Sequence, residues 1–167
     1  IFTQQPETKA AGSMVGYFGV NNAGKNYKYQ DLAAEGYMKN AIVYRCVNEI
    51  SKGASSVPYM LKTGDQVIER HPLIDLMDRP NPLQSYSEFF NSLYGFLMLS
   101  GNAYVLKVGS ERGAPRELHL LRPDRIEIKS SQGATMPERY NYMMNGRVEN
   151  SYEVDQDTGF SELKHIK

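Results

Sequence analysis

A glycine-rich stretch near the start of the sequence resembles a phosphate-binding loop. Residues 19–26 read Gly-Val-Asn-Asn-Ala-Gly-Lys-Asn and match the first seven positions of a Walker A loop, whose backbone amides and lysine would bind phosphates. The eighth position, where a Ser or Thr hydroxyl should hold magnesium, is Asn26, and no apolar helix opens after it. We interpret the stretch as part of a glycine-rich arm. A nucleotide-binding enzyme that uses the loop from Gly19 to Asn26 is the alternative.

A second stretch resembles the start of a calcium-binding loop. Asp155-Gln156-Asp157-Thr158-Gly159 has acidic side chains at the right spacing. The sixth position would be Phe160 instead of Gly, and the twelfth would be Ile166 instead of Glu. The pattern therefore predicts a turn.

The remaining reactive side chains are few and scattered along the chain. Cys46 is the single cysteine, so no internal disulfide is available, and it lies on the apolar face of a predicted helix, where we expect a small buried hydrophobe. His71, His119 and His165 are far apart in sequence, and sequence alone does not show which acidic side chains they meet. We expect no catalytic, cofactor-binding or metal-binding residues, and we expect that the protein is not an enzyme.

Aromatic side chains are numerous, with twelve tyrosines and six phenylalanines. Tyr140, Tyr142 and Tyr152 alternate with polar residues on predicted strands. Stacking on single-stranded nucleic acid would need such rings beside a basic groove. We expect ordinary packing on one sheet face or against a neighbouring subunit.

The composition is that of a folded domain. The chain has 167 residues, of which 41% are hydrophobic and 23% are charged, and this size suffices for one domain with a core. Nineteen basic residues balance nineteen acidic ones, so the chain lacks the positive excess that drives binding to nucleic acid. No apolar run approaches the roughly 20 residues that span a bilayer, so we expect no membrane partner. The chain begins at Ile1, which suggests a processed product or a fragment.

Helical signals dominate the first part of the predicted domain, which we place at residues 37–167 after a flexible or partner-dependent arm at 1–36. A helix from Ala41 to Ala54 follows the cap Asn40, and a short helix begins near Pro72. Ser85 and Glu88 form a capping box for a third helix, which ends at Gly101 and should organise the core. The apolar face of the first helix should hold Val43, Cys46, Val47, Ile50 and Ala54, and that of the third Phe89, Phe90, Leu93, Phe96, Leu97 and Ser100.

Strand signals dominate the second part. A hairpin is already predicted between the helices, around Thr63-Gly64-Asp65-Gln66, and Asn145-Gly146 predicts a type I′ turn. After Gly101 the apolar residues no longer follow helical spacing but alternate with polar residues, as in strands. Strands are predicted at Ala103 to Val108, Glu117 to Leu121, Arg125 to Lys129, Arg139 to Met143, Arg147 to Val154 and Glu162 to Ile166. Two main helices followed by mostly antiparallel strands indicate an α+β fold.

Several blocks, taken in order, resemble the phage portal protein family. They are Asn40 to Ser51 with the following Ser55 to Pro58, His71 to Pro82, Ser85 with Glu88 to Phe90, Ser100 to Val105, Glu117-Leu118, Leu121 to Pro123, and Arg125-Ile126. The resemblance covers about Asn40 to Ile128 and rests on the order and spacing of the blocks rather than on any one of them. In mechanical terms, Pro80 and Pro82 should fix the angle between the short helix and the capped helix.

The resemblance implies a structural subunit of the portal ring at one capsid vertex, the passage for DNA packaging and ejection. The chain would correspond to the amino-terminal part of the wing region, and a family member would continue beyond Lys167. Implied partners are the other subunits of a dodecameric ring and the capsid protein. The terminase large subunit and the head-tail adaptor would dock through regions beyond this chain, and double-stranded DNA would pass without sequence-specific binding. The implied location is the virion, after assembly in the bacterial host cytoplasm. An unrelated α+β protein-interaction module is a further alternative.

Overall fold

A computed structural model of the protein describes residues 37–109, 114–130 and 136–167. Within these residues, helices come first and short antiparallel sheets dominate afterwards, which confirms the α+β prediction. The elements in chain order are α1 (Ala41–Ser55), β1 (Leu61–Thr63), β2 (Gln66–Ile68), α2 (Pro72–Asp78), α3 (Tyr86–Ser100), β3 (Ala103–Gly109), β4 (Pro115–Leu121), a 3-10 turn (Pro123–Arg125), β5 (Ile126–Lys129), β6 (Arg139–Met144), β7 (Arg147–Glu153) and β8 (Leu163–Ile166). The arm predicted at 1–36 lies outside the described residues.

The helix ends follow their sequence signals. The Asn40 side chain caps α1 by accepting hydrogen bonds from the first backbone N–H groups of that helix. The carboxylate of Glu88 accepts a hydrogen bond from the Ser85 backbone N–H at 2.8 Å and one from the Ser85 hydroxyl at 2.9 Å. Both bonds hold the pKa of Glu88 below its usual range, and the bond from the backbone N–H has the larger effect. Gly101 ends α3 with a φ of 69°, the left-handed conformation that glycine adopts without strain.

Three separate sheets follow from the strand pairing of the described residues. The β1–β2 hairpin turns through Gly64, and the β6–β7 hairpin turns through Asn145 and Gly146, whose φ angles are 51° and 75°. Positive φ at both central residues is what a type I′ turn requires. The larger sheets have the orders β4-β3-β8 and β5-β6-β7, and all their pairings are antiparallel.

The first half of strand β3 is the centre of the described residues because it is buried on both faces. Ala103 and Val105 face α3, whereas Tyr104 between them faces the sheet β5-β6-β7. The first core cluster holds Phe89, Leu93, Ala103 and Val105, and the second holds Tyr104, Tyr140 and Leu163. Helix α3 thus supplies the helical half of the core, as predicted.

The predicted apolar face of α1 is wrong at two of its five positions: Val47 is buried and Val43 and Ala54 are partly buried, but Cys46 and Ile50 are exposed. Helix α1 packs against α3 through Val47, Ser51 and Ser55, which are buried. Ser51 lies opposite Gly95 of α3, where an added Cβ would be 3.9 Å from the Ser51 hydroxyl oxygen, an ordinary van der Waals distance. Cys46 and Ile50 lie away from this contact with α3 and are exposed instead of buried.

The described helices are all too short or too polar to cross a membrane.

Candidate interaction surfaces

Two of the three histidines have roles at the ends and surfaces of single elements. The Nδ1 of His71 accepts the backbone N–H of Leu73 at 3.1 Å, so His71 caps α2. His119 lies 2.8 Å from a carboxylate oxygen of Glu117, two residues away on the same strand. Both contacts are local and structural.

His165 is part of the packing between the two larger sheets. Its Nε2 lies 2.8 Å from the side-chain oxygen of Asn102, and its ring stacks on Tyr104 with centroids 4.5 Å apart. Burial, and then the positive charge of Lys167, holds the pKa of His165 below its usual value, so the ring is neutral at neutral pH. A neutral histidine that joins β8 to β3 stabilises the sheet.

The acidic stretch after β7 is a turn, as predicted. The carboxylate of Asp155 accepts the backbone N–H groups of Asp157 at 2.9 Å and Thr158 at 3.0 Å, and Gly159 has a φ of 68°. These backbone bonds lower the pKa of Asp155, and the bond from Thr158 has the largest effect. No group of three or more possible metal ligands occurs among residues 37–109, 114–130 and 136–167. The loop from Gly19 to Asn26 lies outside those residues.

The predicted strand tyrosines divide into two environments. Tyr140 and Tyr152 are cross-strand partners on β6 and β7 and belong to the core cluster between the sheets. Tyr142 instead accepts a hydrogen bond from the Arg125 guanidinium at 3.0 Å. Tyr140 and Tyr152 therefore confirm the expected packing on a sheet face.

The junction between α2 and α3 is held by a residue that the sequence reasoning missed. Asn81 is 3% exposed, and its amide nitrogen donates to the carbonyl oxygen of Leu118 on β4 at 2.9 Å and to the side chain of Gln84 at 3.0 Å. Its amide oxygen accepts the backbone N–H of Leu83 at 3.0 Å. The Leu118 N–H in turn donates to the carbonyl oxygen of Pro80 at 2.7 Å. The junction is therefore tied to the central sheet, and a polar residue between two prolines was the available signal.

The solvent-facing side of α1 is an apolar ridge. Ile42, Cys46 and Ile50 follow each other at intervals of four residues, and we call them the α1 stripe. Ile42 is 76% exposed, Ile50 is 49% exposed and Cys46 is exposed. Arg45 and Glu49 flank the stripe as an ion pair with 3.9 Å between nitrogen and oxygen. A solvated helix face is normally polar, so the stripe is unusual.

A second apolar surface is concave. It is an open groove of about 570 Å³ between the end of α1, the β1–β2 hairpin, α2 and the first turn of α3, and we call it the hairpin groove. Its lining includes Ser55, Val57, Tyr59, Met60, Val67, Ile74, Asp78 and Tyr86.

Tyrosines hold the walls of the hairpin groove. The Tyr59 hydroxyl donates to the Asp78 carboxylate at 2.7 Å, and burial, followed by this bond, raises the pKa of Tyr59 to about 12. The Tyr86 hydroxyl donates to the carbonyl oxygen of Val57 at 3.1 Å, and the two tyrosine rings lie 5.0 Å apart. These contacts link α3 and α2 to the segment between α1 and β1, so the groove is preformed.

The sequence model of the phage portal protein family matches residues 41–167. The chain belongs to the phage portal protein family. The match confirms the resemblance and extends it through the last strands, beyond Ile128, where the residue blocks had ended.

Similar proteins are found among both curated sequences and solved structures. An uncharacterised protein of Rickettsia bellii is 33% identical over 145 residues, and one of Rickettsia felis is 32% identical over the same length; each match covers 85% of this chain and 36% of the relative. A chain of the neck of an empty gene transfer agent particle, computed with C6 symmetry, is 34% identical with a TM-score of 0.76. That match covers 84% of this chain and 37% of the other.

A chain of the neck of the native particle, computed with C12 symmetry, is 29% identical with a TM-score of 0.69, and the match covers 87% of this chain and 36% of the other. The chain thus spans little more than a third of the relatives that it matches.

Proposed function

We propose that the chain is a structural subunit of a portal ring at one vertex of a phage-like capsid, where DNA enters during packaging and leaves during ejection. The observation that carries the proposal is the family match over residues 41–167, and the similarity to chains of symmetric particle necks supports it. The chain would form the amino-terminal part of the wing, within a domain at 37–167 that follows an arm at 1–36.

The contacts of the described residues support a structural role. The three histidines and Asp155 make local or packing contacts. The α1 stripe and the hairpin groove expose apolar side chains, as interaction surfaces do. The chain has a formal net charge of zero, which suits a region that lets DNA pass without binding it. The proposed partners are the other subunits of a twelve-membered ring and the capsid protein. Terminase and head-tail adaptor would dock elsewhere on the full-length protein.

Gene disruption and labelling of particles test this proposal. Disrupting the gene should give capsids that lack DNA, and an antibody against residues 37–167 should label purified particles at a single vertex by electron microscopy. Capsids that fill with DNA in the absence of the gene would refute the portal role. Label distributed over the whole shell would do the same.

A further inference from the structure

The α1 stripe and the hairpin groove face different directions on one subunit. Ser55 lies on the α3-facing side of α1 and lines the groove. At 100° per residue, the stripe of Ile42, Cys46 and Ile50 points about 180° away from Ser55 around the helix axis. Since a helix is rigid over this length, a subunit does not place its own stripe in its own groove.

Cyclic symmetry calls for two such surfaces. In a ring, every contact joins one surface of a subunit to a different surface of the next, and the rotation repeats until the ring closes. The neck structures that resemble this chain were computed with C12 and C6 symmetry. A stripe and a groove that face different ways on each copy meet this geometric requirement.

Both surfaces are apolar, and one is a helix face whereas the other is a groove. The stripe is a convex row of apolar side chains at helical spacing, and helices commonly bind by laying such rows into apolar grooves. The groove exposes Val57, Met60 and Val67, which are 59%, 66% and 54% exposed, and methionine adapts to irregular partners. Apolar surface of this kind with a polar rim marks interaction sites. Arg45 and Glu49 would supply the rim.

We propose that the α1 stripe of one portal subunit lies in the hairpin groove of its neighbour in the ring. The proposal rests on the portal role and specifies its subunit contact. The contact is heterologous, so each subunit offers its stripe on one side and its groove on the other.

Cys46 makes the contact directly testable because it is the single cysteine of the sequence and belongs to the stripe. The protein, expressed over the full length of its gene with every cysteine outside residues 1–167 replaced by serine, receives Val67→Cys in the groove and is oxidised after assembly. A disulfide needs Cα atoms within roughly 7 Å, so only a direct contact is trapped. We expect a ladder of covalent oligomers on non-reducing gels that collapses on reduction. Met60→Cys should give the same ladder.

Two matched variants control for random collision. Val67→Cys combined with Cys46→Ser should form no species larger than a dimer, because one of the two contact positions is removed. Val148→Cys, placed at an exposed position on β7, should likewise give no ladder with Cys46. A ladder of equal intensity from Val148→Cys would overturn the proposal.

Electron microscopy of the same samples separates the two hypotheses. Intact rings without crosslinks between Cys46 and the groove cysteine would refute the stripe-in-groove contact and leave the portal role standing. If the groove were covered by another part of the same chain, this outcome would be observed. Failure of the unmodified full-length protein to form rings would count against the portal role itself, and the contact would fall with it.

Discussion

Replacing Asn81 should destabilise the fold more than any other single polar change at the junction of α2 and α3. The side chain is 3% exposed and makes three hydrogen bonds, to Leu118, Gln84 and Leu83. A buried hydrogen bond contributes about 1 kcal/mol net, and groups left unpaired add to the cost. We therefore expect Asn81→Ala to lower the free energy of unfolding by about 2–4 kcal/mol.

The substitution Asn81→Asp gives this expectation a pH signature. The new carboxylate would still accept the Leu83 N–H, but it would face the carbonyl oxygen of Leu118 without a proton to donate. Burial and this acceptor would raise its pKa in the folded state above the unfolded value. Its contribution to stability is therefore present at low pH and is lost as the pH rises through the folded pKa. The variant should be closer to the unmodified protein near pH 4 than at pH 7.

Urea unfolding followed by circular dichroism measures both effects. Asn150→Ala is the control, because Asn150 is exposed on β7 and its replacement should change stability by no more than about 0.5 kcal/mol. If Asn81→Ala and Asn150→Ala cost the same, the reasoning about the junction is wrong. A pH-independent penalty for Asn81→Asp would refute the role assigned to the bond with Leu118.

Three other predictions concern the core, the glycine-rich loop and association. Phe89→Ala and Leu93→Ala should each lower the free energy of unfolding by about 2–5 kcal/mol, because both side chains are buried in the first core cluster. Lys62→Ala, at an exposed position, should change it by no more than about 0.5 kcal/mol. Thermal or urea unfolding measures all three, and equal losses of stability would mean that the buried face is misassigned. Calorimetry should detect no saturable ATP binding, since Asn26 replaces the magnesium-binding hydroxyl, and binding that Lys25→Ala abolishes would contradict this. The 167-residue chain should be monomeric or weakly associating by light scattering. Because its formal net charge is zero, it should bind duplex DNA with a Kd of roughly 10⁻⁴ M or weaker near physiological salt. Tight binding with a steep salt dependence would show that these residues contact DNA directly.

Features that depend on a few neighbouring residues could be predicted from the sequence. Ser85 and Glu88 form their capping bonds within one helical turn, and Asn145-Gly146 adopts the positive φ that these two residue types favour. The change of period after Gly101 located the strands because side-chain alternation is a property of the strand itself. The family resemblance identified the larger assembly where no chemical motif did.

Features that depend on a distant partner could not be predicted. The buried face of α1 contains two serines beside Val47, and these serines are buried by α3, which is 30 or more residues away in the chain. The prediction from apolar periodicity alone therefore wrongly placed Cys46 on the buried face of α1. The bonds of Asn81 reach Leu118, 37 residues away, so their importance is invisible in the local pattern. Pairing of β8 with β3 is equally remote from any short-range signal.

The central position of β3 also has a consequence for synthesis on the ribosome. The side chains of Asn102 and His165, which meet where β3 pairs with β8, are 63 residues apart in the chain. At roughly 5–20 residues per second, translation leaves an interval of about 3–13 s between the appearance of the two strands. During that time one edge of β3 has no partner, and an unpaired edge is a template for strands of other chains. Slower translation of the segment between β4 and β8 should therefore increase the fraction of nascent chain lost to aggregation.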